Sequence, residues 1–251
     1  MFINTVIIFL RDLLPIFILF TYVQNTFRVQ FSTKQLATLS ATSLFGMLLF
    51  VASSANISEW FDGMGLELSQ SALLLLSAFS FVAAAQVKQW QFLILQVALC
   101  SFAILKLASF YVYFLTASQG HGSLQILLIA ACVGIGISLS FAVLWSFFLN
   151  ELSSRFGQFI NSLAFASFVA GHSAQISDNL AQVDVLGAGE TLFDISHIIA
   201  DKSEYGHLLS ALFGFEAAPT SGFALFYLII FALCFSAFKN HKAHFTKEPA
   251  P

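Results

Sequence analysis

Two short windows put charge where the surrounding residues are almost wholly apolar. The first is Leu10-Arg11-Asp12-Leu13-Leu14-Pro15, inside an apolar run that begins at Phe2. The second is Leu105-Lys106-Leu107, inside another. An ion at the centre of an apolar segment is costly in lipid, so it must face protein or a water-filled cavity. Pro15 sharpens the first window, because it withholds a backbone donor and its ring crowds the carbonyl of Arg11 four residues back. Charged, broken helices near the membrane midplane are a common way of building transport sites. Three roles stay open for Arg11, Asp12 and Lys106. They form a structural polar network, they serve transport of a metal with other ligands or of an anion, or they recognise a partner subunit. Arg11 and Asp12 are consecutive and point to different helix faces, which predicts that Asp12 bridges to Lys106. The trio sums to one positive charge, a setting that repels a cation rather than solvating it.

The elements that hold these windows follow from composition. The chain has 251 residues, 58% hydrophobic and 9% charged, with a mean hydropathy of +0.85. A soluble domain carries roughly 25% charge, so the chain is an all-α, polytopic membrane protein. Its net charge of −3 gives no footing for nucleic acid. Cys100, Cys132 and Cys234 all lie in apolar spans, which argues against a disulfide framework. The start lacks a basic leader region and a small-residue cleavage site, so it reads as a retained helix. The 31 phenylalanines read as lipid-facing and packing bulk.

A spanning helix needs about 20 mostly apolar residues. Seven stretches qualify, roughly 2–23, 36–55, 68–87, 91–117, 124–148, 157–177 and 221–238. They make one transmembrane domain over 1–240, followed by a tail at 241–251. The turn at Lys88-Gln89-Trp90 is tight, whereas the connection over 178–220 is long and acidic, with apolar pieces such as Leu208–Phe213 that suit interfacial helices. With seven crossings, Arg28, Lys34, Lys88, Arg155, Lys239, Lys242 and Lys247 fall on one side and Lys202 on the other. The positive-inside rule then sets the N-terminus outside and the tail inside, in a cell (inner) membrane. Phe9-Leu10-Arg11 can be laid on Ile104-Leu105-Lys106, three helices later. That spacing suggests two inverted three-helix repeats plus a C-terminal helix, with a site at the repeat interface.

Other polar residues are less pointed. His121, His172, His197 and His207 fall on the outer side with Asp178, Asp194, Asp201 and Glu204, without a metal-binding spacing. His241 and His244 accompany the basic tail. Gly134, Gly136 and Gly171 suit close helix approach. There is no phosphate-binding loop and no catalytic triad pattern, so the chain reads as a non-enzyme without a cofactor.

The window Asn4-Thr5-Val6-Ile7-Ile8-Phe9-Leu10-Arg11 resembles the first helix of the oxidase-dependent high-affinity iron permeases. Gly65-Leu66-Glu67-Leu68-Ser69-Gln70-Ser71 is similar to the family's acidic start of helix three. Leu192-Phe193-Asp194-Ile195-Ser196-His197, Gly206, Ala211–Phe215 and Pro219 follow the order of its last outer loop. The resemblance implies seven helices, an outside N-terminus and iron transport, with iron as substrate and an oxidase or periplasmic iron-binding protein as partner. It implies a polar cluster of Arg11, Asp12, Lys106, Glu67 and Gln70, with Asp12 and Glu67 as metal ligands. The family motif R-E-x-x-E is degraded here. Asp12 stands for the first Glu and Pro15 for the second, Leu107 and Phe110 replace both acids after Lys106, and Gln70 stands where an acid is expected. A non-transporting subunit that docks such a partner through the acidic outer loop is the alternative.

Overall fold

The computed structural model describes residues 2–119, 124–187 and 189–245. His121 and Lys247 lie outside the described residues. Within them the helices run α1 Phe2–Phe27, α2 Thr33–Ser58, α3 Gly65–Gln86, α4 Gln91–Gln119, α5 Leu124–Phe156, α6 Phe159–Gln182, α7 Glu204–Phe213 and α8 Ser221–Phe245. Long apolar runs become helices because a backbone in lipid must satisfy its own hydrogen bonds. Local signals set some ends. At α2, Ser32 Oγ accepts from the Gln35 amide and Gln35 Oε1 accepts from the Ser32 amide, a reciprocal cap. Each expected apolar stretch is helical, mostly with an extra turn.

Among the described residues, six helices are long and apolar enough to cross a membrane: α1 to α5 and α8. The expected span 157–177 falls on α6, which does not meet that standard. The physical reason is its place in the bundle. Packed against α1, α3, α5, α7 and α8, α6 buries Asn161, Ser162, His172, Ser173 and Ser177 and has little need of lipid-compatible side chains.

Helix directions follow from which residues meet. The end carrying the 183–220 connection is called upper. α1 and α5 descend side by side, Phe9 against Gly134 and Tyr22 against Trp145. α2 rises against α4, with Gly46 facing Ile104. α3 packs on α4 and α6, α1 on α4 and α6, and α6 on α8. Small residues such as Ser77, Ala78, Ala84 and Ala85 are buried on α3, and Ser77 Oγ donates to the Ala98 carbonyl of α4 at 3.0 Å. Of the three glycines expected at close contacts, Gly134 meets Phe9, Gly171 meets α7, and Gly136 faces open space.

The lower half of the interior is aromatic. Phe165 stacks on Phe238 at 4.8 Å, Phe81 and Tyr22 meet Phe165, and Phe168 lies between Tyr22 and Phe102. Each such pair adds about 0.5–1.5 kcal/mol beyond its buried area. Many of the phenylalanines are therefore packing bulk, as expected, but gathered into a plug.

The connection is folded. Residues 190–195 run antiparallel to 217–221, with Leu192 N donating to Pro219 O, Ile195 N to Ala217 O and Ser221 N to Glu190 O. α7 starts at Ser203, whose Oγ accepts from Gly206 N, and stops at Gly214, in the left-handed region at φ 64°. The apolar Leu208–Phe213 piece suited a helix lying flat at the interface. Instead α7 descends between α1 and α6 and buries Ala211 and Leu212. Its C-terminal carbonyls are met deep in the bundle: Tyr22 Oη donates to Leu212 O at 3.4 Å, and His172 Nε2 lies 3.5 Å from Ala211 O. Non-helical backbone at this depth is tolerated because protein surrounds it. Tyr22→Phe is expected to lower stability by about 1 kcal/mol, read by unfolding in detergent; no change would mean that the Leu212 carbonyl has another donor.

Candidate functional site

Where α7 ends its descent, a polar chamber of about 290 Å³ opens above the aromatic plug. α1 supplies Arg11, Asp12 and Pro15, α4 Lys106 and Ser109, α6 His172 and Gln175, and α7 Ser210 and Ala211. α1 stays helical through Pro15, so the proline shapes the chamber wall without ending the helix.

Asp12 pairs with its neighbour, not with Lys106. Arg11 Nε donates to Asp12 Oδ1 at 3.0 Å and Nη2 to Oδ2 at 3.4 Å. Helix geometry separates the two Cβ atoms, but the long arginine folds back and presents its edge side-on to the carboxylate. The Asp12 side chain is 6% exposed and that of Arg11 is 50% exposed. Lys106 Nζ lies 5.8 Å from the centroid of Phe102, at cation–π range. Among the described residues the ion pairs are Arg11–Asp12 and Arg155–Glu151, so Lys106 has no carboxylate within bridging distance. The expected Asp12–Lys106 bridge is therefore replaced by an intrahelical pair and a separate ammonium on the same chamber.

Two further cavities share walls with the chamber. Upwards, through Arg11, Gln175 and Ser210, it meets a vestibule of about 330 Å³ that also holds Asp178, Asp201 and Glu216. Sideways, through Lys106, Ser109 and Gln175, it meets a groove of about 570 Å³ between α2, α3, α4 and α6. Gln70 lines that groove and so shares a cavity with Lys106. Glu67 lies one turn earlier and lines neither the chamber nor the vestibule nor the groove. Asp12 and Glu67, the two expected metal ligands, share none of these three cavities. Among the described residues no three His, Cys, Asp or Glu side chains gather into a metal site.

The vestibule carboxylates interact. Burial, with Asp178 and Asp201 close by, pushes Glu216 up from 4.5 to about 7. Asp201 Oδ1 accepts from the Ala217 amide at 2.8 Å, which ties the strand after α7 to the loop before it. Burial and the Arg11 charge hold His207 below its ordinary value, against the pull of Asp201. Between pH 4.5 and about 7 the folded protein keeps a proton on Glu216 that the unfolded chain has lost, so stability falls as pH rises through that window. Glu216→Gln is expected to remove that part of the slope and to raise the melting temperature at pH 7.5 relative to wild type. Parallel melting curves for the two proteins from pH 4.5 to 7.5 would contradict this.

Sequence reasoning passed over Gln175 and the chamber role of His172. The signal was present: His172, Gln175 and Asn179 stand at i, i+3 and i+7, one polar stripe on α6. His197 is exposed, and Asp194 Oδ1 accepts from the Ser196 amide at 2.8 Å in a local turn.

These features define the class, an all-α, multi-pass membrane protein with a charged chamber in its interior. Compared with models of known families, with curated proteins and with solved structures, the chain matches none.

Proposed function

We propose that the protein is a permease of seven-span plan, resembling the iron permeases, and that it moves a small charged solute through the chamber between α1, α4, α6 and α7. The observation that carries this reading is the chamber itself. It is polar, shares Arg11, Gln175 and Ser210 with an upper vestibule, and is backed on its lower side by the Tyr22–Phe165–Phe168 aromatic plug. That is the arrangement of a carrier open to one face. With the N-terminus outside and α6 as the seventh crossing, the vestibule faces outwards in a cell membrane.

Helix pairing supports an inverted repeat. Exchanging α1, α2, α3 for α4, α5, α6 maps the α1–α5 contact onto α4–α2, α3–α4 onto α6–α1, and α2–α3 onto α5–α6. The exchange also brings Arg11 and Lys106 into correspondence, and both line the chamber. Iron is the cargo that the resemblance implies, and Asp12 and His172 are the chamber groups able to ligate it.

The test is uptake into vesicles holding purified protein, with labelled iron and labelled phosphate offered separately. Solute uptake that is lost in Gln175→Trp, which fills the junction of chamber, vestibule and groove, is the expected result. No uptake of either solute, with a protein co-purifying on the connection, would overturn it in favour of a docking subunit. That second reading has its own observation, the exposed Phe193, Ile198 and Tyr205 on the connection.

A further inference from the structure

We infer that the chamber and groove meet at a binding site for a small oxoanion, of the phosphate, sulfate or carboxylate class, held by Lys106 and Arg11. The inference rests on the permease reading and names its solute class.

Charge comes first. Arg11 and Asp12 cancel in their side-on pair, which leaves the Lys106 ammonium as the unmatched charge on the chamber. Of the residues lining the groove, Lys106 is the one that is charged; the polar remainder are amides and hydroxyls, among them Gln70, Thr116 and Asn179. A mostly apolar groove with a few amides and hydroxyls, whose single charged lining residue is a cation, favours an anion over a metal. The vestibule carries both signs, Asp178, Asp201 and Glu216 beside Arg11 and Lys202, and so offers no such bias.

Donor supply comes second. A guanidinium has five N–H donors, and Asp12 takes one from Nε and one from Nη2. Among the described residues the remaining Arg11 donors have no protein acceptor, and the side chain is half-exposed and lines the chamber and vestibule. Lys106 brings an ammonium whose contact is the Phe102 ring. Gln175, at the junction of all three cavities, adds a side-chain amide. A chamber of about 290 Å³ has room for a tetrahedral or planar oxoanion with several waters, each of which occupies about 30 Å³ in the liquid.

Acceptor supply narrows the class. The Ala211 carbonyl can only accept, so the facing His172 Nε2 carries the proton and Nδ1 is left as an acceptor. His172 is 2% exposed, and its Nδ1 has no partner among the described residues. A buried acceptor without a donor is costly. An oxoanion carrying its own hydroxyl, such as hydrogen phosphate, supplies donor and acceptors together, so it is preferred over sulfate or a carboxylate.

The test is binding to purified wild-type protein in neutral detergent, by melting temperature and by equilibrium binding of labelled phosphate at constant ionic strength. Sulfate and acetate are compared, and chloride serves as control. Phosphate is expected to bind saturably and to raise the melting temperature, more than sulfate does. Lys106→Met is expected to weaken phosphate binding by about thirtyfold or more, as when one partner of a buried charge pair is truncated. Lys106→Arg and Gln175→Ala are read alongside, and partial retention of binding in both is expected. Equal phosphate binding by wild type and Lys106→Met, or a shift that chloride reproduces, overturns the site. A second arm offers phosphatidylglycerol in nanodiscs: stabilisation by that lipid and not by phosphate overturns the soluble anion in favour of a headgroup. Phosphate binding without vesicle uptake would sink the permease reading and keep the site, whereas iron uptake without anion binding would do the reverse.

Discussion

Replacing Arg11 with methionine is expected to destabilise the folded protein by about 3 kcal/mol, while Lys106→Met shifts it by less than about 1 kcal/mol. The asymmetry follows from which charge is buried. Asp12 is 4% exposed, and its hydrogen-bond donors are Arg11 Nε and Nη2. Without Arg11, a carboxylate remains in the protein interior with no partner at bonding distance, and it must take up a proton or pull water and Lys106 towards it. Each route costs free energy that the native pair does not. Lys106 stands outside the pair, beside Phe102 and at the mouth of the groove, so its loss removes a cation–π contact and an unmatched charge together. The measurement is chemical unfolding in detergent for both single variants and for the double variant. Because Lys106 is the one remaining cation on the chamber, the double variant is expected to lose more than the sum of the two. Equal losses for the two single variants would mean that Asp12 is shared between Arg11 and Lys106, and that the chamber is a three-membered lock.

How far the sequence reaches can be judged from particular residues. The long helices were legible because hydropathy over 20 residues is a bulk property, insensitive to neighbours. The tight turn at Lys88-Gln89-Trp90 was legible for the same reason: two apolar runs left almost nothing between them. α6 was legible as a helix but not as an interior one. Its His172, Gln175 and Asn179 form a stripe that lowers its hydropathy, and only its burial by α1, α3 and α8 shows why that is tolerated.

The site was legible in its parts and misread in its pairing. Arg11, Asp12 and Lys106 do line one chamber, as charges in apolar spans must. Helix angles then favoured Asp12–Lys106, but they describe where Cβ atoms point. A guanidinium sits several bonds further out and can return to its own helix. Glu67 was placed in the cluster by the resemblance alone; the face of α3 that lines the groove carries Leu66, Gln70 and Leu74, and Glu67 is not on it. What no local signal could reveal is α7. Ten residues of mixed polarity can lie on a surface or descend into a bundle. The choice depends on whether a distant helix offers a gap, and here that gap is Gly171.

Gly171→Val is accordingly expected to cost about 3 kcal/mol, the upper end of the range for overpacking, and to open the chamber. A Cβ at Gly171 would fall on the Phe213 carbonyl and within 2.8 Å of Gly214 Cα, so backbone meets backbone and no side chain can swing aside. Gly214 cannot relieve the clash. It is in the left-handed region at φ 64°, and its amide donates to Ser210 O to close α7. The helix end must therefore lift as a unit. Lifting it withdraws the Leu212 carbonyl from Tyr22, the Ala211 carbonyl from His172, and the Ser210 and Ala211 wall from the chamber. Gly136→Val is the control, since nothing lies within 4 Å of a Cβ there, and it is expected to be neutral within about 0.5 kcal/mol. Unfolding free energies separate the two glycines. Labelling of Ser210→Cys by a water-soluble thiol reagent then reports the wall, and is expected to be faster in the Gly171→Val background than with Gly171 in place. Unchanged labelling with a large loss of stability would mean that the bundle loosens elsewhere and that α7 keeps its seat; unchanged stability would mean that α7 does not need the gap.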